Sequence, residues 1–395
     1  MGIMVADKSP IDEALLHSKH EKKIWFATWS SSSSSLPTWS SNSSLPTASR
    51  SASPGGWLSL ALFAMVGAIY FYTGNLIDRC MCADRCVRSY PDIGYLAFGA
   101  YGWTTIGLVM YVELYLVAIS FLILEGDNLD KLLPSTVVEI LGYQVHGKQL
   151  FVLATAAVIL PMTWLKNLSM LSYVSVVGLI SSVALTGLPT ALTVYFVCFA
   201  GHGVFPTVYS SMKSKKDFPK VLLILSVLCS LNYAVTVVLR YLINGEDVQS
   251  QETQNLPTGK LYTRIAILTT LITPLANYTL VIQPITTAIE EKLSATTDVE
   301  NNWLTRVLTS IAVVISTVVL ACTVPFFGYL MLFIGSSLNV TVAVLVPCLS
   351  YLKIYMSRGG VGCFERTMIV GILVIGVCVN VAGTYTSLHQ IIGTF

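Results

Sequence analysis

Six consecutive residues, Gly201-His202-Gly203-Val204-Phe205-Pro206, interrupt an apolar stretch near the middle of the chain. In hydrocarbon each unpaired backbone N–H or C=O costs several kcal/mol, so a membrane helix breaks only where its loose backbone lines a polar cavity. Glycine admits the dihedrals of an unwound turn and lets a ligand approach the main chain. Proline withholds an N–H and frees a carbonyl. The helix halves at such a break aim N–H groups at a carboxylate and C=O groups at an ammonium, which is zwitterion chemistry. A glycine pair packed at a helix crossing explains the same residues without any ligand. His202 adds an imidazole that titrates at about 6.5 when unperturbed. It reads either as a proton acceptor or as a structural hydrogen bond between helices.

Glu113 is the second chemical candidate. It falls near the middle of an apolar stretch, and a carboxylate at that depth is costly enough to be a functional hypothesis by default. It reads as a proton carrier, or as a protonated acid bonded to Tyr111, Tyr115 or backbone. Glu125, Asp127 and Asn128 follow at the end of the same stretch and read as a solvated, capped helix terminus. Thr273-Pro274 and Asn277 place a proline and small polar groups at depth, the mark of a kink facing a cavity. Arg240 is expected to snorkel from a helix end. Cys80, Cys82 and Cys86 lack the paired spacing and nearby histidine of a zinc site. Nothing in the chain carries a nucleophile elbow, a phosphate-binding glycine loop or a metalloprotease helix. Neither an enzyme nor a cofactor is expected.

The elements that must hold these residues are membrane helices. Hydrophobic residues make up 54% of the 395 and charged ones 11%, with a mean hydropathy of +0.70. A soluble domain carries roughly 25% charged residues. The net charge of +2 gives no sign of nucleic-acid binding. A span takes about 20 apolar residues, and ten stretches qualify: 57–77, 104–124, 150–165, 168–186, 190–209, 221–243, 265–288, 304–324, 328–352 and 367–388. Alternate loops hold thirteen and five basic residues, so the thirteen-residue side is expected to face the cytosol. Residues 1–56 read as a disordered serine-rich tail ahead of a membrane domain at 57–395. Ten spans put that tail outside the cytosol, although it is basic and has no export signal. Its side stays ambiguous: a cytosolic tail would require one more span before Trp57, none is visible, and the chain reads as if a first helix is missing.

Several segments resemble the amino acid/auxin permease family, in its plant vacuolar amino acid transporter branch. They include Phe71-Tyr72-Thr73-Gly74, Tyr90-Pro91-Asp92-Ile93-Gly94, Glu113-Leu114-Tyr115, Glu125-Gly126-Asp127-Asn128-Leu129, the Gly201–Pro206 break, Pro325-Phe326-Phe327-Gly328 and Gly383-Thr384-Tyr385. The resemblance implies an all-α polytopic membrane protein with the inverted-repeat fold of bacterial leucine transporters. It implies about ten helices here, the family's first helix being absent. It further implies proton-driven movement of neutral amino acids across the vacuolar membrane. Substrate would be held at Gly201, His202, Gly203, Val204, Phe205 and Pro206. Protons would load at Glu113 or His202, and Thr273 and Asn277 would line the cavity. An amino acid, protons and lipid are the partners implied. The chain departs from the family at Ser120, often acidic, near Asn277, where a lysine is frequent, and at 184–189, where a longer segment is usual. A transport-dead product that pairs with relatives, or a receptor that binds without moving substrate, is the alternative.

Overall fold

The structure, a computed structural model, describes residues 55–84, 87, 89–133, 137–140, 143–164, 202, 209, 218–220, 222–224, 226–227, 261–296, 303–323, 331, 333–356 and 362–392. Helix α1 runs over Gly55–Ala83. It takes in the stretch expected at 57–77 and begins at Gly55, inside what reads as tail. Its 29 residues exceed the roughly 20 that cross about 30 Å of hydrocarbon.

Helix α2, Tyr90–Leu132, is broken at Gly99, whose φ of 69° and ψ of −155° suit glycine. A Cβ built on Gly102 would lie 2.3 Å from the Gly94 carbonyl oxygen, and one on Gly107 would lie 3.3 Å from Pro91 Cγ. Both pairs are centred on the break. The arm before Gly99 therefore folds back along the limb after it, and the expected span 104–124 is only part of that limb. Pro91 and a bond from the Ser89 N–H to Asp92 Oδ2 at 2.9 Å start the arm.

The connection after α2 departs from an all-α reading. Strand β1, Val137–Ile140, pairs antiparallel with β2, Tyr143–His146, setting Val137 opposite His146 and Ile140 opposite Tyr143. Its valines, isoleucine and tyrosine favour extended backbone. Helix α3, Gly147–Trp164, follows. Then come α4, Leu261–Thr296, with Pro274 and Pro284 inside it, and α5, Trp303–Thr323. Helix α6, Ile334–Met356, opens with two π-helical stretches, Ile334–Asn339 and Thr341–Leu345. Helix α7 is Cys363–Ile392. These match the expectations at 150–165, 265–288, 304–324, 328–352 and 367–388 to within a few turns. Those at 168–186, 190–209 and 221–243 lie largely outside the described residues.

Five of the described helices are long and apolar enough to cross a membrane. The protein is a polytopic integral membrane protein whose described membrane-crossing elements are all helices. Buried and half-buried hydroxyls and one half-buried amide stitch the helices together, which matters where lipid supplies no hydrophobic drive between them. Tyr115 of α2 donates to Ser316 of α5 at 2.9 Å, and Tyr278 of α4 meets Thr317 of α5 at 2.6 Å. Asn380 of α7 donates to the Ser337 carbonyl and to Thr341 Oγ1 at the π-helical stretches of α6. Tyr90 donates to the Val342 carbonyl there.

Basic ends gather as the loop charges require. Arg79 of α1 bonds Glu365 of α7 at 2.7 Å and Tyr351 of α6 at 3.1 Å, and Tyr351 donates to the same carboxylate. Tyr355 caps the Arg79 carbonyl at 2.9 Å and stacks on Tyr351. Lys292 lies over Trp103, near the Gly99 reversal. This is the basic-rich face.

Candidate functional site

His202 sits in a turn and is 1% exposed. Its ring stands edge-on to Tyr70 of α1, centroids 5.0 Å apart. Its Nε2 lies 3.0 Å from Thr73 Oγ1 and 3.2 Å from the Tyr70 carbonyl oxygen, and Thr73 Oγ1 donates to that same carbonyl at 3.1 Å. A carbonyl can only accept. Nε2 must therefore carry the hydrogen, because a bare Nε2 would set two acceptors against each other. The network closes when Nε2–H points between the carbonyl and the hydroxyl oxygen. A second proton on this ring would go to Nδ1.

This geometry supplies the hydrogen bond between segments that the sequence offers as one role for His202. It also adds two residues that sequence reasoning missed, Tyr70 and Thr73. The signal was faint: Thr73 lies in the Phe71–Gly74 motif, 129 residues before its partner. Gly201, Gly203, Val204, Phe205 and Pro206 lie outside the described residues, as do Arg240 and Cys86. Thr273 belongs to α4, and Asn277 is fully buried four residues on.

Glu113 is buried in the long limb of α2, within electrostatic reach of the Tyr90 phenol. Tyr115, offered above as its partner, turns instead to Ser316. Cys80 is buried on α1, while Cys82 is exposed and meets Tyr209 Oη at 3.3 Å.

One expectation fails. Glu125 and Asn128 are each 2% exposed, not solvated, and α2 continues to Leu132. The reason is α3. A Cβ on Gly126 would lie 2.7 Å from Val152 Cγ2 and 3.3 Å from the Lys148 carbonyl oxygen. Glycine there lets α3 close over the end of α2, and Asp127 pairs with Lys148 at 2.6 Å across the seam.

Residues 44–188 and 183–389 match the family described as transmembrane amino acid transporter protein. The chain belongs to this transmembrane amino acid transporter family. Among its relatives, Amino acid transporter AVT1I of Arabidopsis thaliana is 43% identical over 364 residues, 86% of this chain and 89% of that protein. Amino acid transporter AVT1J of the same plant is 41% identical, covering 86% of each chain. Amino acid transporter AVT1E, also from Arabidopsis, is 35% identical over 86% of this chain and 69% of its own length. The family is one of transporters, not enzymes. Within it, several residues quoted for the resemblance make close approaches between separate segments: Thr73 to His202, Pro91 to Gly107, and Gly126 to α3.

Proposed function

We propose that this transporter family member moves neutral amino acids across the vacuolar membrane in exchange for protons. The observation that carries the reading is His202, buried in a turn and tied to α1. A buried turn at His202 supports a substrate cradle at Gly201–Pro206, and a bundle that rocks around it. Glu113 and His202 are the proton-coupling groups of this reading, and Asn277 and Thr273 line its cavity. Coupling needs a proton that prefers one orientation, since equal affinity for both shifts nothing. The amino acid follows from the family and from the relatives' names. The vacuolar membrane follows from the resemblance alone.

The test is uptake of a labelled neutral amino acid into vesicles reconstituted with the whole chain, with and without an imposed proton gradient. Gradient-driven uptake above empty vesicles is expected. In Glu113→Gln and His202→Gln the amides keep a hydrogen-bonding group but cannot take the proton. At least one should lose the gradient response while retaining substrate exchange. No uptake above empty vesicles would sink the reading.

A second reading, a chain that binds or pairs with relatives without transporting, has two observations in its favour. The family match comes in two stretches that meet at 183–188, where a shortened segment is expected. The 364 residues aligned with the first relative also exceed 86% of 395, so part of that relative has no counterpart here. Saturable binding without flux in the same vesicles would select it.

A further inference from the structure

Glu125 takes no part in the mechanism above, yet it is the most deeply enclosed carboxyl group of the long limb of α2, 2% exposed. Its Oε1 is buried and, among the described residues, has no hydrogen-bond partner. Leaving a buried polar atom unsatisfied costs stability, and more if it is charged. A group kept at that cost calls for a role or a missing partner. We propose that Glu125 is a proton-binding site at the end of the bundle away from the basic-rich face. It is neutral while α3 closes over it, and it ionises when that seam opens to water.

The surroundings support this. Twelve helical residues separate Glu113 from Glu125, about 18 Å along the axis and about 120° around it. The two carboxyls therefore serve different faces and different depths. Gly126, beside Glu125, is where α3 comes closest, and the Asp127–Lys148 pair ties the same seam. The charged and titratable groups in this region are Asp127, Asp130 and Lys131 on α2, Lys148 on α3, and the Cys322 thiol of α5, which lies near Lys148. Lys148 is engaged by Asp127, so Glu125 has no counter-ion from that pair. Moving α3 aside would expose the carboxyl to water and free its proton. Closing α3 again would require the proton back. The site thus links proton occupancy to the position of α3.

Infrared difference spectroscopy of the whole chain in vesicles tests this without reference to flux. The wild type should show the C=O stretch of a protonated carboxyl that disappears as pH rises. The response should follow pH on the face carrying Lys148. Glu125→Gln should remove that band, while Glu113→Gln should keep it. Should Glu125→Gln fail to fold, Glu125→Met, which leaves no polar atom to satisfy, carries the same readout. An unchanged band in either Glu125 variant, or a band that follows only the basic-rich face, overturns the proposal. A band lost in Glu125→Gln in a protein that moves no amino acid would sink the transport reading and leave this one standing.

Discussion

The two ends of the helix bundle solve the same problem in opposite ways. On the basic-rich face a carboxylate, Glu365, is partly exposed and fully served: Arg79 and Tyr351 both donate to it, and Tyr355 ties off the Arg79 carbonyl. At the other end a carboxyl of the same type, Glu125, is enclosed and has an oxygen with no partner among the described residues. The first arrangement fastens α1, α6 and α7. The second fastens nothing and costs stability. A side chain that only holds helices together is satisfied where it sits. A carboxyl kept buried and unsatisfied calls for another role, and a change of charge supplies one.

Both ends depend on α2, whose limb reaches from the Gly99 reversal to the Glu125 seam. The largest expected effect therefore comes from breaking the reversal. In Gly102→Val the new Cβ would meet the Gly94 carbonyl oxygen at 2.3 Å. Backbone cannot step aside as a flexible side chain does, so the cost is about 3 kcal/mol, the upper end for overpacking. Thermal melting in detergent should show the loss. A melting temperature equal to wild type would mean that the arm does not pack against the limb.

Substituting the two carboxyls by an apolar residue of similar length should give opposite signs. Glu125→Met removes an unsatisfied group and should stabilise the folded protein by about 1–3 kcal/mol. Glu365→Met strips Arg79 and Tyr351 of their shared acceptor and should destabilise it by about 1 kcal/mol, a modest figure because the Arg79 side chain is 54% exposed. Paired melting curves decide the matter. Two changes of the same sign would erase the contrast between the ends.

How much of this was legible in the sequence follows from what each feature depends on. Helices crossing a membrane announce themselves by length and apolarity, and the described spans fall within a few turns of expectation. The reversal at Gly99 was hidden because the apolar stretch runs straight through it. Pro91, Gly94, Gly99 and Gly102 were the available signal, but glycine spacing alone also fits a straight packed helix. The burial of Glu125 was misread because Glu-Gly-Asp-Asn looks like a helix end meeting water. Only the approach of α3 to Gly126 closes that end, and no local pattern records it. His202 was visible as a candidate, whereas its partners Tyr70 and Thr73 come from a distant part of the chain.

The smallest effect concerns Asp78, on the basic-rich side of α1 just past the stretch expected at 57–77. It sharpens the comparison because it is the exception at that end. Its Oδ1 is buried without a partner among the described residues, although Arg79 is its neighbour in sequence. Burial pushes its carboxyl up to about 6 from an ordinary 3.8, and Arg79 only partly opposes the rise. The folded protein thus holds a proton over a range where the unfolded chain has already released it. Folding is favoured by that proton below 3.8, and the advantage is lost as pH rises through about 6. In Asp78→Asn there is nothing to ionise. The variant should melt higher than wild type at neutral pH and the gap should close on acidification through that window. Comparing the two proteins at each pH cancels every other titrating group. A gap independent of pH would mean that Asp78 finds its counter-charge after all, and that the basic-rich end satisfies all of its carboxylates.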